Sequence, residues 1–195
     1  MRVLVSGAGG LIGSALVESL GRAGWDVVRL VREGSRAGAG TAGVAWEPAA
    51  GRIDPPALEG FDAVVHLAGE PVFGLRWTRA KKRRIYDSRV RGTELLATTL
   101  ARLDRPPRVF ASASAIGYYG DRGAEELTEA SPPGEGFLPE VCVAWENAAG
   151  AARDAGIRVA HLRFALVLSP RGGALATMIG PLVEVPVLIG LVHVA

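Results

Sequence analysis

The stretch Arg2-Val3-Leu4-Val5-Ser6-Gly7-Ala8-Gly9-Gly10-Leu11-Ile12-Gly13 decides the fold. Its first half is a short apolar run rich in valine, the composition of a buried strand. Its second half spaces glycines as G-x-x-G-x-x-G, at Gly7, Gly10 and Gly13. Gly7 permits a tight turn out of the strand. Gly10 lets the backbone come close to a pyrophosphate, and Gly13 lets the next helix pack tightly. That helix opens at Leu11 and offers free N–H groups and a partial positive charge to an anion in the turn. A glycine triplet alone is a weak signal. Here it follows an apolar strand and opens an amphipathic helix, the context a dinucleotide-binding turn requires. Gly7, Gly10, Leu11, Ile12 and Gly13 are therefore the expected phosphate-side positions. The alternative is a glycine-rich turn without a ligand.

The alternation of periods continues along the chain. Asp26–Val31, Ala63–Leu67, Arg108–Ser112 and Arg158–Arg163 read as buried strands, with a further short strand at Val44–Trp46. Leu11–Ala23, Arg79–Leu103 and Pro139–Ala155 carry a helical apolar period. Strand–helix alternation predicts an α/β fold, a doubly wound parallel sheet with helices on both faces and right-handed crossovers. Glu33–Gly43, rich in Gly, Ala and Ser, reads as a mobile loop. Thr128–Gly136, with Pro132 and Pro133, reads as an irregular excursion.

Composition removes several classes of protein. The chain has 195 residues, 49% hydrophobic and 22% charged, which excludes a disordered tail, a collagen-like fibre and a low-complexity linker. The formal charge of +2 argues weakly at best for a nucleic-acid partner. The segment from Arg76 to Arg91 is strongly basic, yet Trp77, Ile85 and Val90 give it an apolar side. It reads as a solvated helical face, so no nucleic-acid binding is expected. Cys142 is the single cysteine. It excludes an intramolecular disulfide framework and a multi-cysteine metal site, and it suits a cytoplasmic protein. No metal site is expected. Glycines interrupt the apolar N-terminus and Glu18 soon follows, a poor signal peptide. No run reaches the roughly 18 apolar residues needed to span a bilayer, so no membrane association is expected.

The second strand addresses which dinucleotide would bind. An acidic residue at its end serves NAD by bonding the ribose hydroxyls. Here Arg32 holds that place. A guanidinium can grip a 2′-phosphate by charge and paired hydrogen bonds, which favours NADP. Glu33 is the rival. If it turned inward, NAD would become the ligand.

Several segments together carry a family resemblance. They are GAGGLIG, His66-Leu67-Ala68-Gly69-Glu70, Arg76-Trp77-Thr78, Asp87-Ser88-Arg89, Ser112-Ala113-Ser114-Ala115-Ile116-Gly117-Tyr118-Tyr119-Gly120, Trp145-Glu146 and Leu162-Arg163. The chain from Met1 to about Gly180 resembles the extended short-chain dehydrogenase/reductases. More narrowly, it is similar to their atypical, NAD(P)-dependent, sugar-nucleotide-epimerase-like branch. The resemblance implies a Rossmann fold. It implies that Leu67, Ala68 and Gly69 line the cofactor at the end of the fourth strand, where small residues avoid collision. It also implies that Ser88 and Arg89 approach the cofactor from the next helix, with Ser112 close by. His66 reads as a core or strand-end histidine. Glu70 either orients a substrate or caps a turn.

Catalysis is where the chain departs from the pattern. Most members of that superfamily place a serine or threonine after the fifth strand and a Tyr-x-x-x-Lys on the next helix. The tyrosine exchanges a proton, the lysine lowers its pKa and the serine orients the substrate oxygen. Ser114 matches the serine, with Ser112 next in line. Cys142 stands where the tyrosine is expected and Glu146 where the lysine is expected, and the chain contains no Tyr-x-x-x-Lys. A nearby carboxylate would raise a thiol's pKa, so Cys142 reads as a buried small apolar residue. Of the two adjacent phenols, Tyr118 is taken with Ser114 as the catalytic candidate.

Extended members of the superfamily run well beyond this length and close a C-terminal lobe over the substrate. The expected division is a dinucleotide-binding domain over 1–170 and a remnant of that lobe over 171–195, most of the lobe being missing. A homodimer through the long helices after the fourth and fifth strands is expected by analogy only. Two functions compete. One is an NADP-dependent oxidoreductase or epimerase-like protein acting on a small carbonyl or sugar-nucleotide substrate. The other is a non-catalytic dinucleotide-binding or sensor module.

Overall fold

The computed structural model describes residues 1–33, 43–72 and 77–167. Among these, seven strands form one sheet. They are β1 (Arg2–Ser6), β2 (Asp26–Arg32), β3 (Gly43–Glu47), β4 (Arg52–Ile53), β5 (Ala63–His66), β6 (Val109–Ala115) and β7 (Arg158–Phe164). The helices are α1 (Leu11–Arg22), α2 (Arg79–Leu100), α3 (Phe137–Asn147) and α4 (Gly150–Asp154). The spatial order is β4-β3-β2-β1-β5-β6-β7. All pairings are parallel except that of β4 with β3. This is the doubly wound Rossmann arrangement the alternation predicts. The order reverses between β1 and β5, and ligands of open α/β sheets bind outside the strand ends at such a point.

Successive residues of a strand face opposite sides, so each central strand feeds two cores. Val3, Val5, Ala63, Val65, Val109 and Ala111 pack with Leu16 and Leu20 of α1 on one face. Leu4, Leu30, Val64 and Phe110 pack with Leu96 and Leu100 of α2 and Ala152 of α4 on the other. Strands buried on both faces must be apolar throughout, which is why Val3, Leu4 and Val5 are all fully buried. A buried hydrogen bond from the Trp145 indole N–H to Thr93 Oγ1, 2.9 Å long, joins α3 to α2.

Two elements differ from the sequence reading. The strand expected over Arg108–Ser112 runs on to Ala115. Its alanines and serines are poor strand formers alone, but Ala113, Ser114 and Ala115 pair with Leu162, Arg163 and Phe164 of β7. The single helix expected over Pro139–Ala155 is two helices, α3 and α4, interrupted before Gly150. Pro139 lies in the first turn of α3, where a missing N–H costs nothing. The two-residue antiparallel β4 was not expected. It makes the strand carrying His66 the fifth rather than the fourth. Most of the loop expected over Glu33–Gly43, Arg76 of the basic run and the expected C-terminal remnant at 171–195 lie outside the described residues.

Candidate functional site

The turn between β1 and α1 is built by its glycines. Gly7 adopts φ +68°, and a Cβ there would lie 2.7 Å from the Leu67 carbonyl carbon. Only glycine accepts both conditions. A Cβ on Gly13 would collide with the Gly7 carbonyl, so the third glycine lets α1 sit against the turn itself. The Gly10 N–H closes the turn onto the Gly7 carbonyl at 2.9 Å. Gly10 caps α1 without a side chain, and the first helical turn holds no acidic residue. The opening N–H groups are thus left to an anion, and the residues present fit a dinucleotide pyrophosphate.

A cavity of about 330 Å³ begins at this turn. Gly7, Gly9 and Gly10 form one side, Arg29 and Arg32 of β2 the second, and Trp46 and Pro48 the third. Leu67, Ala68, Gly69 and Glu70 follow from the end of β5, with Ser88 from α2. Seven expected cofactor positions therefore surround one space: Gly7, Gly10, Arg32, Leu67, Ala68, Gly69 and Ser88. Leu11, Ile12 and Gly13 stand behind the turn as the start of α1. Arg89 and Ser112 do not border the cavity. The Arg89 guanidinium donates to the carbonyls of Glu70 and Ile85 and lies 5.0 Å over the Trp145 ring. Ser112 is buried in the sheet, in register with His66.

The wall after β5 is held from below and from the side. Ser6 Oγ accepts the Leu67 and Ala68 N–H groups at 3.1 and 3.3 Å and meets His66 Nδ1 at 2.6 Å. His66 is fully buried, and desolvation lowers its pKa to about 4. It is a neutral core histidine, as its apolar surroundings suggested. The Glu70 N–H donates to Ser88 Oγ at 3.0 Å. Its carboxylate meets Lys81 at 2.8 Å and Arg84 at 3.5 Å. The Lys81 hydrogen bond holds the Glu70 carboxyl below its ordinary range despite some burial. Glu70 thus fastens the loop to α2, a role the sequence reading did not name, while still bordering the cavity.

A second cluster forms where β6 and β7 end. Ser114, 2% exposed, donates its hydroxyl hydrogen to Glu146 Oε1 at 2.6 Å. Arg163, in register with Ser114, grips Glu146 through two bonds of 2.8 and 2.9 Å. Arg163 also donates to the Tyr119 hydroxyl at 2.8 Å, and its guanidinium covers the Tyr118 ring at 3.6 Å. Burial pushes the Glu146 carboxyl upward, but the bonds from Arg163 and Ser114 outweigh it and hold the group below its usual value. The paired Glu146 raises Arg163 further, so the guanidinium stays charged. Cys142 is 4% exposed. Burial, then the Glu146 charge, raises its thiol pKa, the direction expected for an inert buried cysteine.

Some members of these clusters were not singled out from sequence. Arg29, Trp46 and Pro48 line the cavity from within or just past strands, away from the C-terminal end of β2 where a coenzyme-selecting residue is expected. Arg163 had a readable signal. A charged residue within a half-buried strand needs a partner, and Glu146 was the carboxylate left without its expected role.

Comparison with known proteins agrees with this architecture. The family model described as the NAD dependent epimerase/dehydratase family matches residues 3–185. An epimerase family protein of Mycobacterium bovis is 42% identical over 176 residues, covering 90% of this chain and 57% of that protein. The chain thus spans a little over half the length of this curated relative. The crystal structure of a nucleoside-diphosphate sugar epimerase from Corynebacterium glutamicum matches with a TM-score of 0.77 and 41% identity, over 90% of this chain and 36% of that one. That of human epimerase family protein SDR39U1 (isoform 2) with NADPH also gives 0.77, at 31% identity, over 90% and 57% of the two chains. Among the described residues no helix is long and apolar enough to cross a membrane. A glycine turn built for a pyrophosphate, on a doubly wound sheet matched by these relatives, places the chain in the NAD dependent epimerase/dehydratase family, with an NAD(P)-binding Rossmann fold.

Proposed function

We propose that the chain binds NADP(H) in preference to NAD(H) and acts as an oxidoreductase or epimerase-like protein on a small carbonyl or sugar-nucleotide substrate. The observation that carries the preference is the division of labour at the end of β2. Arg32 borders the cavity, whereas Glu33 is 3.3 Å from Arg52. The residue that would favour NAD has another partner, and the residue that would favour a 2′-phosphate faces the ligand space. The NADPH bound by the human relative supports the same reading. The bound coenzyme would supply or accept a hydride. This chain's residues would bind its phosphates, keep its path clear of large side chains and handle the substrate's proton.

Calorimetric titration tests the preference. Charge-assisted hydrogen bonds contribute about 1.5–3 kcal/mol, so Arg32→Ala should weaken NADPH binding by roughly 10- to 100-fold and leave NADH binding unchanged. Equal affinity of the wild-type chain for both coenzymes, or no heat with either, overturns the reading. The second reading, a dinucleotide-binding module without catalysis, is motivated by Cys142 and Glu146 standing in place of the usual tyrosine and lysine. Tight NADPH binding with no oxidation of it across a broad carbonyl and sugar-nucleotide panel would favour that module.

A further inference from the structure

We propose that Tyr119 is the residue that exchanges a proton with the substrate oxygen, with Arg163, Glu146 and Ser114 as its positioning residues. This rests on the NADP(H) reading above and assigns the catalytic step of the same site.

The cluster stands where such a group is needed. Ser112 pairs with His66, the last residue of β5, so Ser114 lies two residues past the end of that strand. It is level with the Leu67–Gly69 wall, and β7 brings Arg163 beside it. Ligands of this sheet type sit outside these strand ends. The position given by the usual tyrosine-bearing helix is filled by a buried thiol, so the proton donor must come from another element. The single-turn 3₁₀ segment Ile116–Tyr119, directly after β6, supplies it.

The hydrogen bonds distinguish the members of the cluster. Ser114 spends its only hydrogen on Glu146, so it offers lone pairs to a substrate, not a proton. Glu146 is doubly bonded to Arg163 and is kept ionised. Arg163 is the charged member, with one N–H on Tyr119 and another on the Glu129 carbonyl at 3.1 Å. Tyr118 meets that guanidinium through its ring face, with no hydrogen bond from it among the described residues. The Tyr119 ring also lies 5.1 Å from that guanidinium, but its hydroxyl oxygen accepts an Arg163 N–H. Its phenol hydrogen is the transferable proton, and the guanidinium faces the charge left behind.

The step balances. Bound NADPH would supply the hydride, its nicotinamide C–H bond breaking as the new C–H bond forms; the C=O π pair would move to oxygen, and that oxygen would take the Tyr119 proton. The O–H bonding pair stays on the phenol oxygen opposite Arg163, and water returns the proton. Oxidation of the alcohol runs the same path in reverse.

The test uses the purified chain, NADPH, and isatin, para-nitrobenzaldehyde and diacetyl as carbonyl probes. NADPH affinity is measured first by titration. We expect Tyr119→Phe to lower kcat by about 100-fold or more, the usual worth of a positioned acid, with NADPH affinity unchanged. The residual rate of that variant should fall about tenfold per pH unit, because hydronium becomes the donor, while the wild-type rate stays flat over the same range. A merely structural role would lower the rate without changing that slope. Tyr86→Phe, on the exposed side of α2, is the control and should retain the wild-type rate. Wild-type turnover by Tyr119→Phe, or a loss confined to Tyr118→Phe, overturns the assignment and leaves the coenzyme reading standing. NADPH binding without reduction of any probe overturns it too, since a poised acid beside a hydride source reduces activated carbonyls. Absence of NADPH binding overturns the coenzyme reading, and the assignment falls with it.

Discussion

Ser6 shows how much a single hydroxyl can fix. Its oxygen accepts two backbone N–H groups, from Leu67 and Ala68, which exhausts its lone pairs. With its hydrogen directed to His66 Nδ1, the neutral imidazole carries its proton on Nε2, a buried atom with no hydrogen-bond partner among the described residues. Protonating His66 would turn the Ser6 hydroxyl around and release a strap on the ligand wall. The sign of the pH effect follows. His66 titrates near 6.5 when unfolded and near 4 when folded. Above 6.5 it is neutral in both states and costs nothing. As pH falls below 6.5 the unfolded chain takes up a proton first, so stability declines, and the decline is complete near pH 4. It amounts to about 3 kcal/mol. Glu146, also lowered on folding, loses its contribution in the same acid direction, but only as pH falls below about 4.5. Urea unfolding at pH 7.5, 6 and 5 should show stability falling in the wild type and a flatter profile in His66→Gln. Equal slopes for the two proteins would show that His66 does not govern this window.

Helix α1 provides the matching argument for an element, because it holds two glycines with opposite demands. Gly13 faces the turn, and a methyl there meets the Gly7 carbonyl and the Ala8 backbone, neither of which can rotate away. Gly21 is exposed, with nothing within 4 Å of an added Cβ. Gly13→Ala should destabilise by several kcal/mol and abolish NADPH binding. Gly21→Ala should stabilise by about 0.5–1 kcal/mol through better helix propensity and leave binding intact. Thermal melts with coenzyme titration of both variants check the pair, and similar behaviour of the two would refute the packing role of Gly13. The contrast also marks what was legible in the sequence. Spacing alone identified Gly13, because local geometry sets the turn and the helix start. The main strands and α1 were located to within a few residues for the same reason, since period and burial are local properties. The end of β6 was not legible, because it depends on β7, which arrives more than forty residues later. Of the Glu146–Arg163 pair only the need for a partner was readable, because the two residues lie on different elements and meet only in the folded sheet.

For the molecule as a whole, the cavity draws on both halves of the winding. The turn after β1 and strand β2 lie on one side of the switch point, and the wall after β5 with Ser88 of α2 lies on the other. A ligand there bonds to elements that local unfolding would separate, so its binding energy should appear as global stability rather than as stiffening of one loop. At a free concentration about 100 times its dissociation constant, a ligand bound only by the folded state adds about 2.7 kcal/mol. For a chain of this size each kcal/mol raises Tm by about 2–4 °C, so NADPH should raise it by about 5–11 °C. NADH at the same concentration should give a distinctly smaller shift, since it offers no 2′-phosphate to Arg32. Arg32→Ala should bring the two shifts together by lowering the NADPH value, not by raising the NADH one. Scanning calorimetry of both proteins with each coenzyme decides the matter. An NADH shift equal to the NADPH shift in the wild-type chain would show that Arg32 does not select the coenzyme. Two separate transitions, only one of them moved by NADPH, would show that the halves of the sheet are not coupled through the cavity.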